Sequence, residues 1–332
     1  MIASHKLIKY ISLLIPSLRR DFLYLEFTPK MKKRLLSTSF LAIIACLLWA
    51  TPFAAIKIGL KYTTPLNFAG IRFFISGLLI LPFIPDFKIK LKNLNSKSWK
   101  LIVQIALLQT TVLYGLFYTG IDYLPGALGA MLIGAQPLFA AVMAHLMMKN
   151  DKMTWTKISA ILLGMLGVCI ISLGRADFVL STTIPLGVGI LVLNNIVGST
   201  GNVIVARDTR DIPPRILASF SMILGGAMLV LVSIPLEQPQ WGLHPKEYYF
   251  ALGWLAIVSS MAITIWFSLL GRDGVKVSNL NTWKFIIPIF GACISWLILP
   301  DESPDLISIL GMMVIAFSLL MLNYFNKKKV SS

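Results

Sequence analysis

The chain has 332 residues, of which 57% are hydrophobic and 13% are charged. A soluble domain usually carries about 25% charged residues, and the mean hydropathy of +0.79 lies on the membrane side. This composition excludes a disordered chain, a disulfide-rich secreted domain and an ordinary cytosolic enzyme. The net charge of +16 does not indicate nucleic-acid binding, because the basic residues are distributed among short loops between apolar runs.

Residues 1–35 form an N-terminal extension before the first long apolar run. Its basic, mildly apolar stretch from His5 to Arg20 is too short to span a membrane. The extension lacks a small-residue cleavage site, which argues against a cleaved signal peptide. We expect it to be disordered or to lie at the membrane interface. Alternatively, Met31 is the true start of the protein.

Ten apolar segments of about 20 residues follow, each long enough to cross a hydrocarbon core. They cover residues 37–59, 66–85, 99–119, 126–148, 154–174, 183–206, 214–236, 247–270, 276–299 and 303–325. Backbone polar groups must be satisfied within the bilayer, so each segment is predicted to be a helix. Alternate loops hold 20 Lys and Arg residues, and the opposite loops hold 4. Since basic residues collect on the cytoplasmic side, this pattern predicts ten transmembrane helices with both termini, including the tail at 326–332, in the cytoplasm.

The two halves of the chain repeat at an offset of 151 residues. The segment PLFAA that begins at Pro137 matches PIFGA at Pro288, and Asp151 matches Glu302 in the same register. We therefore predict an all-α integral membrane protein with five-helix repeats at 36–175 and 183–325. Five is an odd number, so the second repeat enters the membrane inverted. Inverted repeats are typical of transporters with a substrate site near the bilayer midplane.

Several stretches carry a resemblance to a known family. They are LWATPFAAIK at residues 48–57, Pro65 and Arg72 in the second segment, residues 114–130, Pro137, Pro288 and Glu302. In this order and spacing, residues 36–325 resemble the EamA-type permeases of the drug/metabolite transporter superfamily. At the place in the first half that corresponds to Glu302, this chain has Asp151, which departs from the family's pattern. The resemblance implies a ten-helix secondary carrier, typically an exporter of small metabolites, in a plasma or inner membrane.

Lys284 is the principal candidate for substrate binding, because a charge inside the bilayer is costly and usually functional. It lies in the ninth segment, four residues before Pro288. We interpret its ammonium as a cavity-facing group that binds an anionic part of the substrate. The alternative is a structural lysine paired with backbone carbonyls that Pro288 frees. None of the 14 Asp and Glu residues lies at the centre of a segment, which argues against a buried carboxylate relay and favours exchange of anions.

Two prolines at equivalent places weaken their helices, because each removes one backbone hydrogen bond. Pro137 and Pro288 are predicted to be helix breaks that take part in gating, or fixed kinks needed for packing. Gln136, directly before Pro137, is a candidate for hydrogen bonding to the substrate.

The sixth segment carries an uncharged polar stripe. Asn195, Ser199 and Asn202 are spaced i, i+4, i+7 and share one helix face. Such a stripe either lines a wet cavity or holds helices together. Tyr114 and Trp283 complete the set of candidate substrate-binding residues, although aromatic residues in membranes lie more often against lipid.

Other intramembrane residues receive a structural interpretation. Arg72 is expected to snorkel to the interface or to pair with a helix C-terminus. Ala160, Gly164 and Gly167 lie at the spacing of close helix contact. The three cysteines are far apart in apolar segments and predict packing, not a metal site.

Together these features predict a secondary active transporter, an exporter or exchanger of a small organic metabolite such as an amino acid or organic anion, that works by alternating access. A facilitative channel-like permease and an integral-membrane enzyme are the alternatives. The chain has no HExxH, GxSxG or Walker motif, so we expect no catalytic residues, metal or cofactor. The expected partners are the substrate and the lipid bilayer, without nucleic acid, and the sequence leaves a homodimer open.

Overall fold

A computed structural model describes residues 37–124, 129, 132–173, 184–239, 242–287, 289–290, 293 and 306–328. Every regular secondary-structure element in these ranges is helical, which confirms the predicted fold class at this level. The predictions for residues 1–35, Pro288 and the last residues of the tail lie outside the described part of the chain. The chain divides into two compact units, Met1–Leu41 and Ala42–Ser332, and the site described below lies within the second unit.

Thirteen α-helices have bounds within the described residues. The first eight are α1 (Thr38–Ala50), α2 (Pro52–Gly59), α3 (Pro65–Ile80), α4 (Phe87–Lys92), α5 (Ser96–Ala106), α6 (Leu113–Asp122), α7 (Gln136–Met147) and α8 (Trp155–Leu173). The remaining five are α9 (Ile184–Asp208), α10 (Pro214–Glu237), α11 (Lys246–Leu270), α12 (Val277–Thr282) and α13 (Leu306–Lys328). Each of the ten predicted segments overlaps at least one of these helices.

Within the described part of the chain, five helical stretches are long and apolar enough, by length and composition, to cross a membrane. They are Pro65–Phe83, Ser96–Ile121, Ile184–Asp208, Pro214–Glu237 and Lys246–Leu270. Shorter apolar helices cover Thr38–Ala50, Leu132–Met147, Trp155–Ile170 and Ile309–Met321. Large apolar side chains such as Leu231 and Phe250 are exposed on these helices, as expected of a surface that faces lipid.

The first predicted segment is interrupted in its middle. α1 ends at Ala50, and α2 begins at Pro52 after a bend at Thr51. Proline lacks a backbone N–H and clashes with the preceding turn, so it is tolerated at the start of a helix and not within one. Both the backbone N–H and the hydroxyl of Thr51 donate to the Leu48 carbonyl, at 3.2 and 2.9 Å. The predicted helix over 37–59 is therefore two helices joined at a proline.

The third predicted segment contains a wide turn. A π-helical stretch, Leu107–Val112, joins α5 to α6. π-Turns insert one residue into the helix and rotate the following side chains relative to the preceding ones. The Thr111 hydroxyl donates to the Gly225 carbonyl of α10 at 3.2 Å, so the wide turn is anchored to a neighbouring helix.

α3 and α10 approach each other closely. A Cβ atom built on Gly70 would lie 2.9 Å from the Gly226 carbonyl oxygen, and one built on Gly226 would lie 2.7 Å from the Gly70 carbonyl oxygen. A Cβ on Gly77 would likewise lie 2.5 Å from the Ser219 carbonyl oxygen. Small residues let membrane helices approach until their backbones touch, so these glycines set the distance between α3 and α10.

A second close pair joins α8 to α13. A Cβ atom on Gly167 would lie 2.7 Å from the Gly311 carbonyl oxygen, and the Ser318 hydroxyl donates to the Ala160 carbonyl at 2.6 Å. A Cβ on Gly164 would lie 2.5 Å from the Phe285 ring. The small residues of α8 therefore mediate helix contact, in agreement with their spacing in the sequence.

Candidate functional site

A cavity of about 220 Å³ lies among the helices of the second unit. Most of its walls are apolar or aromatic, as in small-molecule sites, and a few polar groups converge on it. The charged and amide-bearing residues that line it are Arg72, Gln109, Gln136, Asn194, Asn202 and Lys284. We refer to this space as the central cavity. None of the described residues that line it is an Asp or Glu.

Lys284 sits in a pocket built by one amide and two indoles. Its Nζ donates to the Gln136 Oε1 at 2.7 Å. The same Nζ lies 4.8 Å from the ring centroid of Trp266 and 5.4 Å from that of Trp49. The two indoles meet edge to face, with centroids 5.0 Å apart. Cation–π attraction and the amide oxygen together hold the ammonium at the cavity wall.

Local structure explains why Lys284 and its neighbour Trp283 differ. Both lie in the 3-10 turn Trp283–Phe285 that directly follows α12. Lys284 lines the central cavity, whereas Trp283 is half-buried and is not among the described residues that line it. Successive side chains of a helical turn point in different directions, so only one of these two predicted site residues faces the space.

Four of the seven predicted substrate-binding residues line the central cavity. These are Lys284, Gln136, Tyr114 and Asn202. The Asn202 Nδ2 also donates to the Asn281 Oδ1 at 3.1 Å, which joins α9 to α12. The fold therefore brings together residues that are up to 170 positions apart in the sequence.

The remaining polar residues of the predicted stripe on α9 lie outside the described lining of the cavity. Asn195 and Ser199 are buried, and the Asn195 Nδ2 donates to the Leu132 carbonyl at 2.6 Å. The adjacent Asn194 lines the cavity instead, and its Nδ2 donates to the Leu113 carbonyl at 2.5 Å. The two asparagines face different neighbours, and Asn195 makes the helix contact that was the alternative to a cavity role.

The fourth predicted segment is broken next to the predicted proline. A turn at Ala135 precedes α7, which begins at Gln136 with Pro137 in its first turn. The break places the Gln136 side chain at the cavity wall. A gating role for Pro137 stays a prediction, and Pro288 lies outside the described residues.

Arg72 is a cavity-lining residue that sequence reasoning missed. It neither snorkels nor stays exposed, since it is 5% exposed and lines the central cavity. Its Cζ lies 4.3 Å from the centroid of the Phe73 ring and 5.5 Å from that of Tyr114. The signal for this position was a basic residue within an apolar run without a nearby acidic residue in the sequence. Arg72 is the eighth residue of α3, well inside the helix, and cation–π contacts help to hold it there.

The described lining thus contains two cationic side chains and several neutral amides, with aromatic rings around both cations. Such a space attracts anions because opposite charges interact strongly where water is scarce. No group of three or more His, Cys, Asp and Glu side chains within the described residues is arranged to hold a metal ion.

The chain is similar in sequence to a known family of proteins. The sequence pattern of the EamA-like transporter family matches the chain twice, over residues 36–173 and 185–324. The two matches divide the chain near the boundary between the predicted repeats.

Several bacterial proteins are similar over most of the chain. The uncharacterized transporter YvbV of Bacillus subtilis (strain 168) is 27% identical over 305 residues, which cover 87% of this chain and 92% of that protein. The uncharacterized inner membrane transporter YedA of Escherichia coli (strain K12) is 24% identical over 246 residues, which cover 73% of this chain and 76% of that protein. A protein known from its crystal structure shares the fold with a TM-score of 0.72 at 16% identity, over 88% of this chain and 98% of that one.

Proposed function

The chain belongs to the EamA-like transporter family, and on that premise we propose that it is a secondary active transporter that exports or exchanges a small organic metabolite. The substrate carries an acidic group, as an organic anion or an amino acid does, and binds in the central cavity. Transport proceeds by alternating access of this cavity to the two sides of the membrane. The family match confirms the resemblance seen in the sequence, and the protein is a multi-pass membrane protein.

Lys284 is the observation that carries the substrate class. Its ammonium lines the cavity beside the Gln136 amide and the Trp266 ring. These neighbours orient the lysine but leave its positive charge uncompensated, since no described residue of the cavity lining is acidic. A substrate carboxylate or phosphate would supply the missing charge and accept a hydrogen bond from Nζ.

The coupling mode is inferred from the positions of the acidic residues in the sequence. A carrier driven by protons or sodium through a carboxylate relay needs an acidic side chain near mid-depth. The 14 acidic residues fall in the extension, in loops or at the ends of the predicted segments. We therefore assign an exchange mechanism, in which one anion leaves as another enters.

We further propose ten membrane-spanning helices in two inverted repeats, at residues 36–175 and 183–325. The helix contacts support this arrangement, because a two-fold operation maps several of the major pairs onto themselves or onto another observed pair. α3 with α10, α7 with α12 and α8 with α13 each map onto themselves. The contact of α6 with α9 maps onto that of α2 with α11, and the contact of α3 with α11 maps onto that of α5 with α10.

Residues around Lys284 support the same equivalence. At the 151-residue offset, Ile133 corresponds to Lys284, and Gln136 corresponds to Ile287. All four residues line the central cavity. The Lys284–Gln136 pair therefore has the apolar pair Ile133 and Ile287 as its counterpart. The repeat keeps these positions at the cavity, and only one of the two pairs is polar.

The proposed orientation rests on the loop charges. Both termini lie in the cytoplasm, and the protein resides in the plasma or inner membrane. The basic loops, with 20 Lys and Arg residues, then face the cytoplasm, as the positive-inside rule requires.

Counterflow in proteoliposomes tests the proposal. Vesicles with the purified full-length protein are loaded with a pool of amino acids, organic acids and sugar phosphates, and labelled uptake is followed at several pH values. We expect saturable uptake that needs substrate on the opposite side and that is lost in Lys284→Ala. The matched control is Lys246→Ala, which removes an exposed lysine at the start of α11 and should leave uptake unchanged.

Three outcomes would contradict parts of this proposal. Movement of neutral or cationic compounds alone would exclude an anionic substrate. Full activity in Lys284→Ala would make the lysine structural. Uptake that neither saturates nor responds to substrate on the opposite side would indicate a channel-like permease.

A further inference from the structure

Arg72 presents a guanidinium whose hydrogen bonding is incomplete among the described residues. The side chain is 95% buried, since its residue exposure is 5%. Its Nε and Nη1 atoms are buried and have no hydrogen-bond partner among the described residues. A guanidinium carries five N–H donors in a fixed fork, so this cation is held beside aromatic rings while two of its three nitrogens lack acceptors among the described residues.

Aromatic side chains lie against Arg72 at the cavity wall. Phe73 and Tyr114 lie against the guanidinium at 4.3 and 5.5 Å from their ring centroids. Tyr118 also lines the cavity, and its buried hydroxyl has no partner in the described part of the chain. Two nitrogens of Arg72 and the Tyr118 hydroxyl, all without a described partner, therefore belong to residues that line the same cavity.

This region is distinct from the corner that holds Lys284. Arg72 comes from α3, in the first predicted repeat, and Lys284 comes from the turn after α12, in the second. The rings around the two cations also differ, with Phe73 and Tyr114 near Arg72, and Trp49 and Trp266 near Lys284. The described lining of the central cavity thus has two cationic side chains with different neighbours.

Two uncompensated positive charges in one apolar space are unfavourable by desolvation and by mutual repulsion. A single acidic group can compensate only one of them. Two acidic groups on one molecule would compensate both, and an organic body between them would contact the apolar and aromatic walls. A planar guanidinium suits a carboxylate or phosphate group, which it can bind through two parallel hydrogen bonds.

We propose that Arg72 is a second anion-binding residue and that the transported substrate is a small organic dianion. One acidic group binds at Lys284 and Gln136, and the other binds at Arg72 with the Tyr118 hydroxyl as an additional partner. This inference rests on the proposed transport function and narrows its substrate class from metabolites with an acidic group to molecules with two acidic groups.

A charge ladder in the same proteoliposomes tests the proposal with the full-length protein. The probes are dicarboxylates of three to six carbons and their monomethyl esters, which keep the length and remove one charge. Phosphate monoesters of hydroxy acids form a second arm that distinguishes a phosphate from a carboxylate as the second group. For the unmodified protein we expect uptake to favour the best dicarboxylate over its monoester by about tenfold or more, since a charge-assisted hydrogen bond is worth at least one factor of ten.

Variants assign the preference to Arg72. In Arg72→Gln the ratio of dicarboxylate to monoester uptake should fall to about one, and Arg72→Lys should retain part of it because the charge remains while the fork is lost. The matched control is Arg210→Gln, which removes an exposed arginine paired with Asp273 and should keep the ratio of the unmodified protein. Quenching of tryptophan fluorescence by each probe in detergent provides a binding readout that does not depend on transport.

The outcomes separate the inference from the function on which it rests. If monoanions move as well as dianions and their uptake still requires Lys284, the dianion proposal fails and the transport proposal stands. If Arg72→Gln lowers both classes equally, Arg72 has a structural role and the inference is also overturned. If no anion moves, both proposals fail. Should the Arg72 variants not fold, the charge ladder on the unmodified protein decides alone, and equal uptake of the two classes refutes the proposal.

Discussion

The carboxylate of Asp151 accepts a hydrogen bond from the backbone N–H of Ser278 at 2.9 Å, across 127 residues of sequence. Asp151 is 1% exposed and also accepts from the Ser278 hydroxyl and from the Lys157 ammonium. Ser278 lies in the first turn of α12, where backbone donors lack partners within the helix. An acidic residue from the loop before α8 therefore caps the helix that leads to Lys284.

Asp151→Asn should destabilise the protein strongly. The change leaves the Lys157 ammonium buried beside a neutral amide and weakens the cap of α12. Removal of one partner from a buried ion pair costs about 3 kcal/mol or more. Thermal unfolding in detergent at one fixed scan rate measures the effect as a lower apparent Tm.

Asp208→Asn is the matched control for that variant. Asp208 pairs with the neighbouring Arg207, and the two side chains are 29% and 46% exposed. Exposed pairs contribute less than about 1 kcal/mol, so the apparent Tm should hardly change. Equal shifts in the two variants would contradict the structural role of Asp151.

Glu237 caps a helix in a similar way. At the end of α10, its carboxylate accepts from the backbone N–H groups of Leu66 and Asn67 at 2.9 and 3.1 Å, in the first turn of α3. A carboxylate is stabilising at a helix N-terminus because the backbone N–H groups carry partial positive charge there. Glu237→Gln should lower stability by about 1 kcal/mol, again measured as apparent Tm. The exposed Glu247, in the first turn of its own helix, supplies the control Glu247→Gln, and a larger loss there than at Glu237 would argue against the cap.

Gly226→Ala should separate α3 from α10. The added methyl group would meet the Gly70 carbonyl oxygen at 2.7 Å, and backbone cannot move aside as a flexible side chain can. Overpacking of this kind costs about 2 kcal/mol. Gly253→Ala is the control, because a Cβ atom there meets no described atom within 4 Å. Its apparent Tm should stay unchanged or rise slightly, since alanine favours helix over glycine. A stable Gly226→Ala protein would show that the two helices are not held in backbone contact.

Gln136→Glu should weaken the binding of anions. The new carboxylate would stand where the amide oxygen now accepts from Lys284 at 2.7 Å, so it would form an internal ion pair and compete with the substrate. We expect the half-saturating anion concentration in counterflow to rise about tenfold or more. Gln136→Met removes the hydrogen bond without adding charge and should have a smaller effect. Unchanged or improved anion uptake in Gln136→Glu would refute an anion site at Lys284, provided that the apparent Tm shows a folded protein.

The sequence allowed the membrane class, the helical segments and the two-part organisation to be predicted, because hydropathy and loop charge are sums over neighbouring residues. It also led to Lys284 and Gln136, since an ionisable or amide group in an apolar run stands out without any knowledge of its neighbours. Local chemistry of this kind is readable from the chain alone. The interruptions at Thr51 and at residues 107–112 were missed as breaks, because a helix pattern averages over them.

Only the tertiary structure decided which polar groups share the cavity. Asn194 and Asn195 are adjacent and both buried, yet only Asn194 lines the cavity, because helical periodicity assigns a face and not what covers it. Arg72 stood out in the sequence as a basic residue in an apolar run, but its position at the cavity depends on Tyr114 and on the packing of α3. The contact of Asp151 with Ser278 likewise joins loop and helix over 127 residues. These relationships depend on which helices pack together. Helix packing in turn depends on backbone contact at glycines and on hydrogen bonds between residues that are distant in sequence.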